Sequence, residues 1–338
     1  MMKKIYAFSK YIFYSVGGAE KSMHSILNKK TKEGAEISVI GVSEIKSFNS
    51  NSFKAQLNSS WSIKEIKLKF QFSRFFYLEY FLNRSAIKKY FANLQKDGEL
   101  LTYGMYAAIA AISYQGNSII YLRSESDLGY NENYYSGLKR MIKSVLIFIE
   151  YPFFMLYVKD LRKSYQNSKL VFNSKWMSEQ CSIRFQGNGT IEFPDINILE
   201  LKDKFNKANK IENRGIVFIG DSEVKGLSLV LEIARKMPQT NFYIFGRNKT
   251  QTRIEQNVTF MPWSVDNVVP FLYAKLIIVP SLWHEAYGRV SAEAISLGLP
   301  VLVSNRGGLP ESVNYNKEMI VDDYKNSDIW VERIKRVV

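Results

Sequence analysis

The stretch from Leu276 to Val303 constrains this chain more than any other. It reads as strand, loop, helix, turn and strand. Leu276 to Val279 is a short apolar run of the kind buried in a parallel sheet. Ser281 to Gly288 is a loop with polar side chains at its tip. Arg289 to Leu297 has helical spacing, with Val290, Ala294 and Leu297 on one face. Gly298 stops that helix, Pro300 follows just beyond the stop, and Val301 to Val303 starts the next strand.

Glu285 and Glu293 lie in this stretch, eight residues apart. On one continuous helix that spacing leaves them nearly a quarter turn out of phase. It makes sense with Glu285 in the loop and Glu293 about one turn into the helix. One acid then hangs over the helix N-terminus, and the other lies on its flank. Between them the free N–H groups of the first turn form an anion site. A ligand with a hydroxylated head, a phosphate middle and a hydroxylated tail fits, and a nucleotide sugar has that shape.

The same alternation runs through the rest of the chain. Lys4 to Ser9 reads as a strand, Gly17-Gly18 as a turn, Ala19 to Lys32 as a helix and Glu36 to Val42 as a second strand. That is a doubly wound opening. A weaker strand is expected near Ile66 to Phe70, then a helix over Phe75 to Leu94. Strands at Leu100 to Tyr103 and Ser118 to Leu122 flank an alanine-rich helix. Arg123 to Gly129 is a polar loop at a strand's carboxyl end, where open α/β sheets face their ligands. A long helix covers Leu138 to Tyr165, and Ser174 caps another. Residues 198–214 read as a helix or linker, and a second α/β unit begins at Gly215.

At 338 residues the chain is long for one core, so two domains are expected. The net charge of +14 is uneven. Residues 1–210 hold 31 Lys and Arg against 18 Asp and Glu, and the remainder holds 15 against 14. The basic half could meet an anionic membrane, an acidic acceptor or nucleic acid, or be a solvated face. No recognition motif supports nucleic acid. Cys181 is the single cysteine, which fits a reducing compartment such as the cytoplasm. The N-terminal apolar run is too short for a signal peptide. The longest apolar stretch, Val145 to Val158, is broken by Glu150 and Pro152. It is too short to span a bilayer and reads as a buried helix rather than an interfacial one.

Glu285 and Glu293 sit inside Pro280-Ser…Glu-Ala-Tyr-Gly…Glu-Ala…Gly-Leu-Pro-Val, followed by Gly307-Gly-Leu-Pro-Glu311. Together with Gly17-Gly-Ala-Glu20, these pieces resemble the GT-B glycosyltransferases of family four, the retaining glycosyltransferases group 1. The resemblance implies an α/β fold of two Rossmann-like doubly wound domains facing a cleft. Residues 1–197 would bind the acceptor and 198–338 the nucleotide sugar, a UDP- or GDP-sugar. It implies that Glu285 contacts the donor sugar in the catalytic role and that Glu293 holds the ribose. The amides around Tyr287, Gly288, Arg289 and Val290 would meet the diphosphate. Lys225 looks like the family's diphosphate lysine, neutralising charge as the nucleoside diphosphate leaves. Phe260 to Trp263 lies where the family contacts the base, and Gly17 and Gly18 allow close approach of donor or acceptor. The implied acceptor is a glycan or lipid-linked saccharide of cell-surface polysaccharide or glycolipid synthesis.

The chain departs from that pattern in three places. Asp221-Ser222 follows Gly220 where the family has an arginine, so Arg247 or Arg289 would have to substitute. No histidine stands in Tyr121 to Asp127, which leaves Arg123, Glu125 or Asp127 as acceptor-side candidates. One helix precedes Val338, where the family has more. No metal or other cofactor is expected, because two histidines, one cysteine and no Asp-x-Asp element give little to build a metal site from. His284 is either a loop side chain or part of the site, His24 reads as a plain helix position, and Trp263 either stacks on a base or packs the core. The rival readings are a sugar-nucleotide epimerase, a phosphorylase, or a non-catalytic binding protein on this architecture.

Overall fold

The computed structural model describes residues 3–14, 17–45, 55–72, 74–135, 137–209, 211–246, 251–264 and 266–338. The chain forms two units, Met1–Asp195 and Ile196–Val338.

The first unit runs β1 (Lys4–Phe8), α1 (Gly18–Lys32), β2 (Glu36–Val42), β3 (Ser62–Ile66), α2 (Phe76–Ala92), β4 (Glu99–Tyr103) and α3 (Ala107–Ser113). It continues with β5 (Ser118–Leu122), α4 (Gly137–Asn167), β6 (Lys169–Phe172), α5 (Lys175–Phe185) and β7 (Gly189–Ile191). Its parallel sheet has the order β3-β2-β1-β4-β5-β6-β7. The strands form because their apolar runs alternate between two covered faces. Ile5 and Ala7 pack with Val39, Leu101 and the α1 residues Met23 and Leu27. Ser174 caps α5 by accepting from the Met177 N–H at 3.0 Å. β3 lies four residues before its expected start. It is an edge strand with four exposed residues and only Ile66 buried, so no apolar run marks it.

α4 corrects a second expectation. Its apolar stretch is not buried: Val145 is 53% exposed, Phe148 81% and Ile149 52%. Only the second half packs, through Tyr157, Leu161, Ser164 and Tyr165. The two acids of the helix face inward. Glu150 accepts from the Tyr77 and Leu78 N–H groups at 2.8 and 3.1 Å, supplying the cap that α2 lacks from its own Phe75. Asp160 holds Arg84 through two bonds of 2.6 and 2.9 Å and accepts from the Tyr80 hydroxyl.

The second unit runs α6 (Ile198–Lys207), β8 (Gly215–Ile219), α7 (Leu227–Lys236), β9 (Phe242–Gly246), β10 (Arg253–Glu255), β11 (Val258–Pro262) and α8 (Val269–Leu272). It ends with β12 (Ala274–Val279), α9 (Arg289–Ser296), β13 (Val301–Ser304), α10 (Leu309–Ser312), β14 (Ile320–Val321) and α11 (Ser327–Val337). The sheet order is β10-β11-β9-β8-β12-β13-β14, with β10 the antiparallel strand. β10 is a three-residue edge strand, exposed throughout, which the apolar pattern could not reveal. Alternation along β8 sends Ile216 and Phe218 to one face and Val217 to the other. The first face is covered by α7 and α11, the second by α6, α8 and α9. Trp330 on α11 is fully buried, with its indole N–H on the Tyr324 carbonyl at 2.9 Å. Trp330→Ala is expected to destabilise this unit by about 3–5 kcal/mol. Urea unfolding followed by circular dichroism measures it, and a loss under about 1 kcal/mol would show that α11 is dispensable.

Candidate functional site

The chain passes from β8 to β9 and β11 on one side, then returns to β12 on the other side of β8. That reversal is a topological switch point, where loops at the strand carboxyl ends part and leave a crevice. Two loops meet there, one after β8 (residues 220–226) and one after β12 (residues 280–288). They are joined backbone to backbone: the Leu282 and Trp283 N–H groups donate to the Val224 carbonyl at 2.9 and 3.3 Å. Gly226, at φ +94°, lies where a Cβ would stand 2.2 Å from the Pro280 carbonyl oxygen. A third loop, after β13, donates its Gly308 N–H to the Glu285 carbonyl at 2.7 Å.

This bracing brings Lys225 to Glu285, 60 residues away. The Lys225 ammonium donates to Glu285 Oε1, and the Ser281 hydroxyl donates to the same oxygen at 2.8 Å. Lys225 Nζ also lies 4.8 Å from the centre of the Trp283 ring. Burial pushes the Glu285 carboxyl up, but the Lys225 charge and the bonds from Lys225 and Ser281 hold it below its ordinary value. The Trp283 indole N–H pulls the same way, although it makes no bond of hydrogen-bond geometry. The result is a carboxylate and an ammonium side by side at the switch point.

Gly288 turns the loop into α9. It sits at φ +117°, and a Cβ there would lie 2.7–2.8 Å from Ser312 Oγ, Leu309 Cδ2 and Ser291 Oγ. Gly288 gives α9 no side-chain cap, so the first-turn amides at Arg289 and Val290 carry the helix's partial positive charge uncapped. Glu293 lies one turn in, as its spacing implied. It is buried and accepts from Arg289 Nε at 2.8 Å. Arg289 Nη1 is buried without a hydrogen-bond partner. A buried guanidinium N–H left open is costly unless a ligand takes it. Tyr287 is half-buried, and burial, with the nearby Glu311, raises its hydroxyl above its ordinary pKa.

Arg247 lies outside the described residues. Asp221 stands against Gly246 at the end of β9, where a Cβ on that glycine would be 2.5 Å from the Asp221 Cβ. The Phe260 side chain belongs to the core, and half-buried Trp263 follows the end of β11. Sequence reasoning missed Arg306. Its Nε donates to the Leu282 carbonyl at 3.1 Å, and Nη2 is 3.3 Å from His284 Nδ1. Arg306 thus braces the loop that carries Glu285. Its place just before Gly307-Gly308 was the one available signal.

In the first unit, Gly17 and Gly18 open α1 after β1, again without a side-chain cap. His24, on α1, bonds the Ile12 carbonyl at 2.7 Å. Asp127 closes its own turn: its Oδ2 accepts from the N–H groups of Arg123 and Ser124 at 2.8 and 2.9 Å. Burial nevertheless raises its pKa. Glu125 is buried and accepts from the Tyr134 hydroxyl at 2.7 Å. Arg123 stacks its guanidinium 5.1 Å from the Tyr121 ring centre and leaves Nη1 buried without a bond. Of the three acceptor-side candidates, Arg123 is therefore the one with a buried atom open to a ligand. Thr102 Oγ1 and Asn173 Oδ1, at neighbouring strand ends, are buried without partners too, and no sequence pattern marks them. Among the described residues no three His, Cys, Asp or Glu side chains cluster as metal ligands would.

Comparison with known proteins places these features. Residues 201–338 match the family model "Glycosyl transferases group 1". Over 142 residues the chain is 30% identical to spore coat protein SA of Bacillus subtilis (strain 168). The match covers 35% of this chain and 38% of that protein, so well under half of the relative's length is spanned. Sucrose-phosphate synthase from Thermosynechococcus elongatus shares the fold, with a TM-score of 0.72 at 13% identity over 99% of this chain and 89% of that one. So does Anabaena HepE, solved in complex with UDP and glucose, with a TM-score of 0.60 at 14% identity over 99% and 89%.

Proposed function

We infer, from the match of residues 201–338 to the glycosyl transferases group 1 model and from the GT-B fold, that the chain is a member of that family and moves a sugar from a nucleotide-sugar donor to a glycan or lipid-linked saccharide, with retention of configuration. The observation that carries this reading is the Lys225–Glu285 pair beside the uncapped start of α9. Glu285 contacts the donor sugar's hydroxyls, and Glu293 the ribose. The α9 amides, Lys225 and Arg289 hold the diphosphate. Their positive charge stabilises the leaving nucleoside diphosphate, the work that a metal does in other transferases. Arg289 supplies the cation that Asp221 does not, through the open Nη1. The donor is a UDP- or GDP-sugar, and HepE's capture of UDP is the parallel. Arg123 faces the acceptor. The product enters cell-surface polysaccharide or glycolipid, and the reaction runs in the cytoplasm, in keeping with a single buried free cysteine.

A thermal-shift screen with UDP, GDP, ADP and their glucose conjugates tests the donor site. One nucleotide is expected to raise Tm, gaining about 2.7 kcal/mol at a hundred times its Kd. Glu293→Ala is expected to abolish that shift. No shift with any nucleotide, or the same shift in the variant, overturns the site. Donor consumed without acceptor to give an epimeric nucleotide sugar would point to the epimerase reading.

A further inference from the structure

We propose that the N-terminal half of α4 docks this protein on the surface of an anionic lipid bilayer. The proposal rests on the first unit alone and does not depend on the sugar-transfer reading. Stepping 100° per residue places Leu138, Met141, Ile142, Val145, Phe148 and Ile149 within one arc of roughly 120°. All six are exposed, from 52% for Ile142 and Ile149 to 81% for Phe148. A contiguous apolar ridge of this kind is rare on a soluble monomer and marks a contact surface. Nothing from residue 137 to 149 is buried, whereas the buried residues Glu150, Tyr157, Leu161, Ser164 and Tyr165 lie on the opposite side of the helix; buried Asp160, beyond Pro152, falls in the ridge's own arc, where the helix has already entered the unit.

Charge identifies the occupant. Lys139, Lys143 and Arg140 line the arc facing away from the ridge, and Lys159, Arg162 and Lys163 follow it at the C-terminal end. Met155, Leu156 and Val158 form, with Lys159 and Arg162, a shallow depression with an apolar floor and a cationic edge. The two acids of the helix, Glu150 and Asp160, are both buried, 3% and 4% exposed, and engaged inside the protein. The helix therefore presents bases and apolar groups to the outside and no acid, the pattern that seats at the headgroup level of anionic lipid. A second copy is the poorer occupant. Residues 1–195 hold 27 Lys and Arg against 16 Asp and Glu, so two such faces would set like charge against like.

The helix lies on the bilayer and does not cross it. Its best 18-residue window has mean hydropathy 1.6 and is only 11% buried, so composition alone would allow a span. The unburied stretch before Glu150, Leu138 to Ile149, is only twelve residues and carries three bases, however, against about 20 predominantly apolar residues needed to cross. Beyond it the helix is fixed in the core of the unit by Tyr157 and Leu161.

Flotation of the full chain with vesicles tests this. The protein is expected to float with phosphatidylcholine–phosphatidylglycerol vesicles, less with phosphatidylcholine alone, and less as salt rises. Phe148→Glu with Ile149→Glu is expected to cut flotation about tenfold or more, since the apolar face supplies the insertion. These side chains are exposed, so the variant's thermal melting should match the parent's. Lys139→Glu with Arg140→Glu should remove the preference for the anionic vesicles. Parent and apolar-face variant floating alike overturns the proposal, as does a parent that floats with neither vesicle. A parent that dimerises in sedimentation velocity through Phe148, without binding vesicles, overturns it in favour of a copy-to-copy interface.

Discussion

Glu285→Gln lowers donor-dependent sugar transfer by about a hundredfold or more, the scale of losing one electrostatic contact to the reacting group. The substitution keeps the shape of the side chain and can still accept from Ser281. It removes the charge that faces Lys225, and it weakens the acceptor offered to the donor sugar. Nucleotide binding through Glu293 and the α9 amides should survive, so kcat falls more than the donor KM rises. Lys225→Ala is the companion experiment. Without the lysine, burial is the largest remaining influence on Glu285, and it raises the pKa. In the parent the carboxyl sits below its ordinary value. The ion pair's stabilising contribution is therefore present above the unfolded glutamate pKa, about 4.3, and is lost as pH falls through the depressed folded value. The acid limb of the pH–rate profile should accordingly move to higher pH in Lys225→Ala. Because the two groups share one contact, the double variant should lose less than the two single losses combined. Transfer within a few-fold of the parent in Glu285→Gln, or an acid limb that stays put in Lys225→Ala, would remove the pair from the chemistry.

The outline of that site is legible in the sequence. β12, its loop, α9 and β13 could be read because apolar runs are bounded by Gly298 and Pro300, residues whose backbone constraints act locally. The contact between Lys225 and Glu285 could not be read, because it joins positions 60 residues apart through sheet order, which no local pattern encodes. Arg306 stayed hidden for a related reason: its partner is a backbone carbonyl, that of Leu282, and carbonyls carry no sequence signal. β3 and β10 were misplaced or missed because an edge strand need not be apolar. α4 shows a different limit. An apolar run says that side chains avoid water, but not whether a protein core or another apolar surface receives them. Asp127 read only as an acceptor-side candidate, since a polar loop at a strand end looks the same whether its acid meets a ligand or closes its own turn.

Gly307→Ala is expected to destabilise the second unit by about 2–4 kcal/mol and to lower transfer about a hundredfold. The argument is one of backbone against backbone. Gly307 sits at φ +59°, and a Cβ there would lie 2.2 Å from the Glu285 carbonyl oxygen and 2.8 Å from the Glu285 nitrogen. No side chain can swing aside to relieve that contact, so the loop carrying Glu285 has to move. The neighbouring bond from the Gly308 N–H to the Glu285 carbonyl, 2.7 Å, would be strained with it. A shift of about 1 Å at a reacting group is enough for a hundredfold loss. Gly298→Ala separates this effect from the backbone cost alone. Gly298 has φ +73° with nothing within 4 Å of its Cβ position, so its substitution carries only the left-handed penalty of about 1 kcal/mol. Urea unfolding and transfer rate, measured on both variants, decide the matter. If Gly307→Ala behaves like Gly298→Ala, with a modest stability loss and unchanged transfer, the loop after β13 is not what holds Glu285 in place. If stability and activity fall together only in Gly307→Ala, the Gly307-Gly308 pair positions the acid through the backbone.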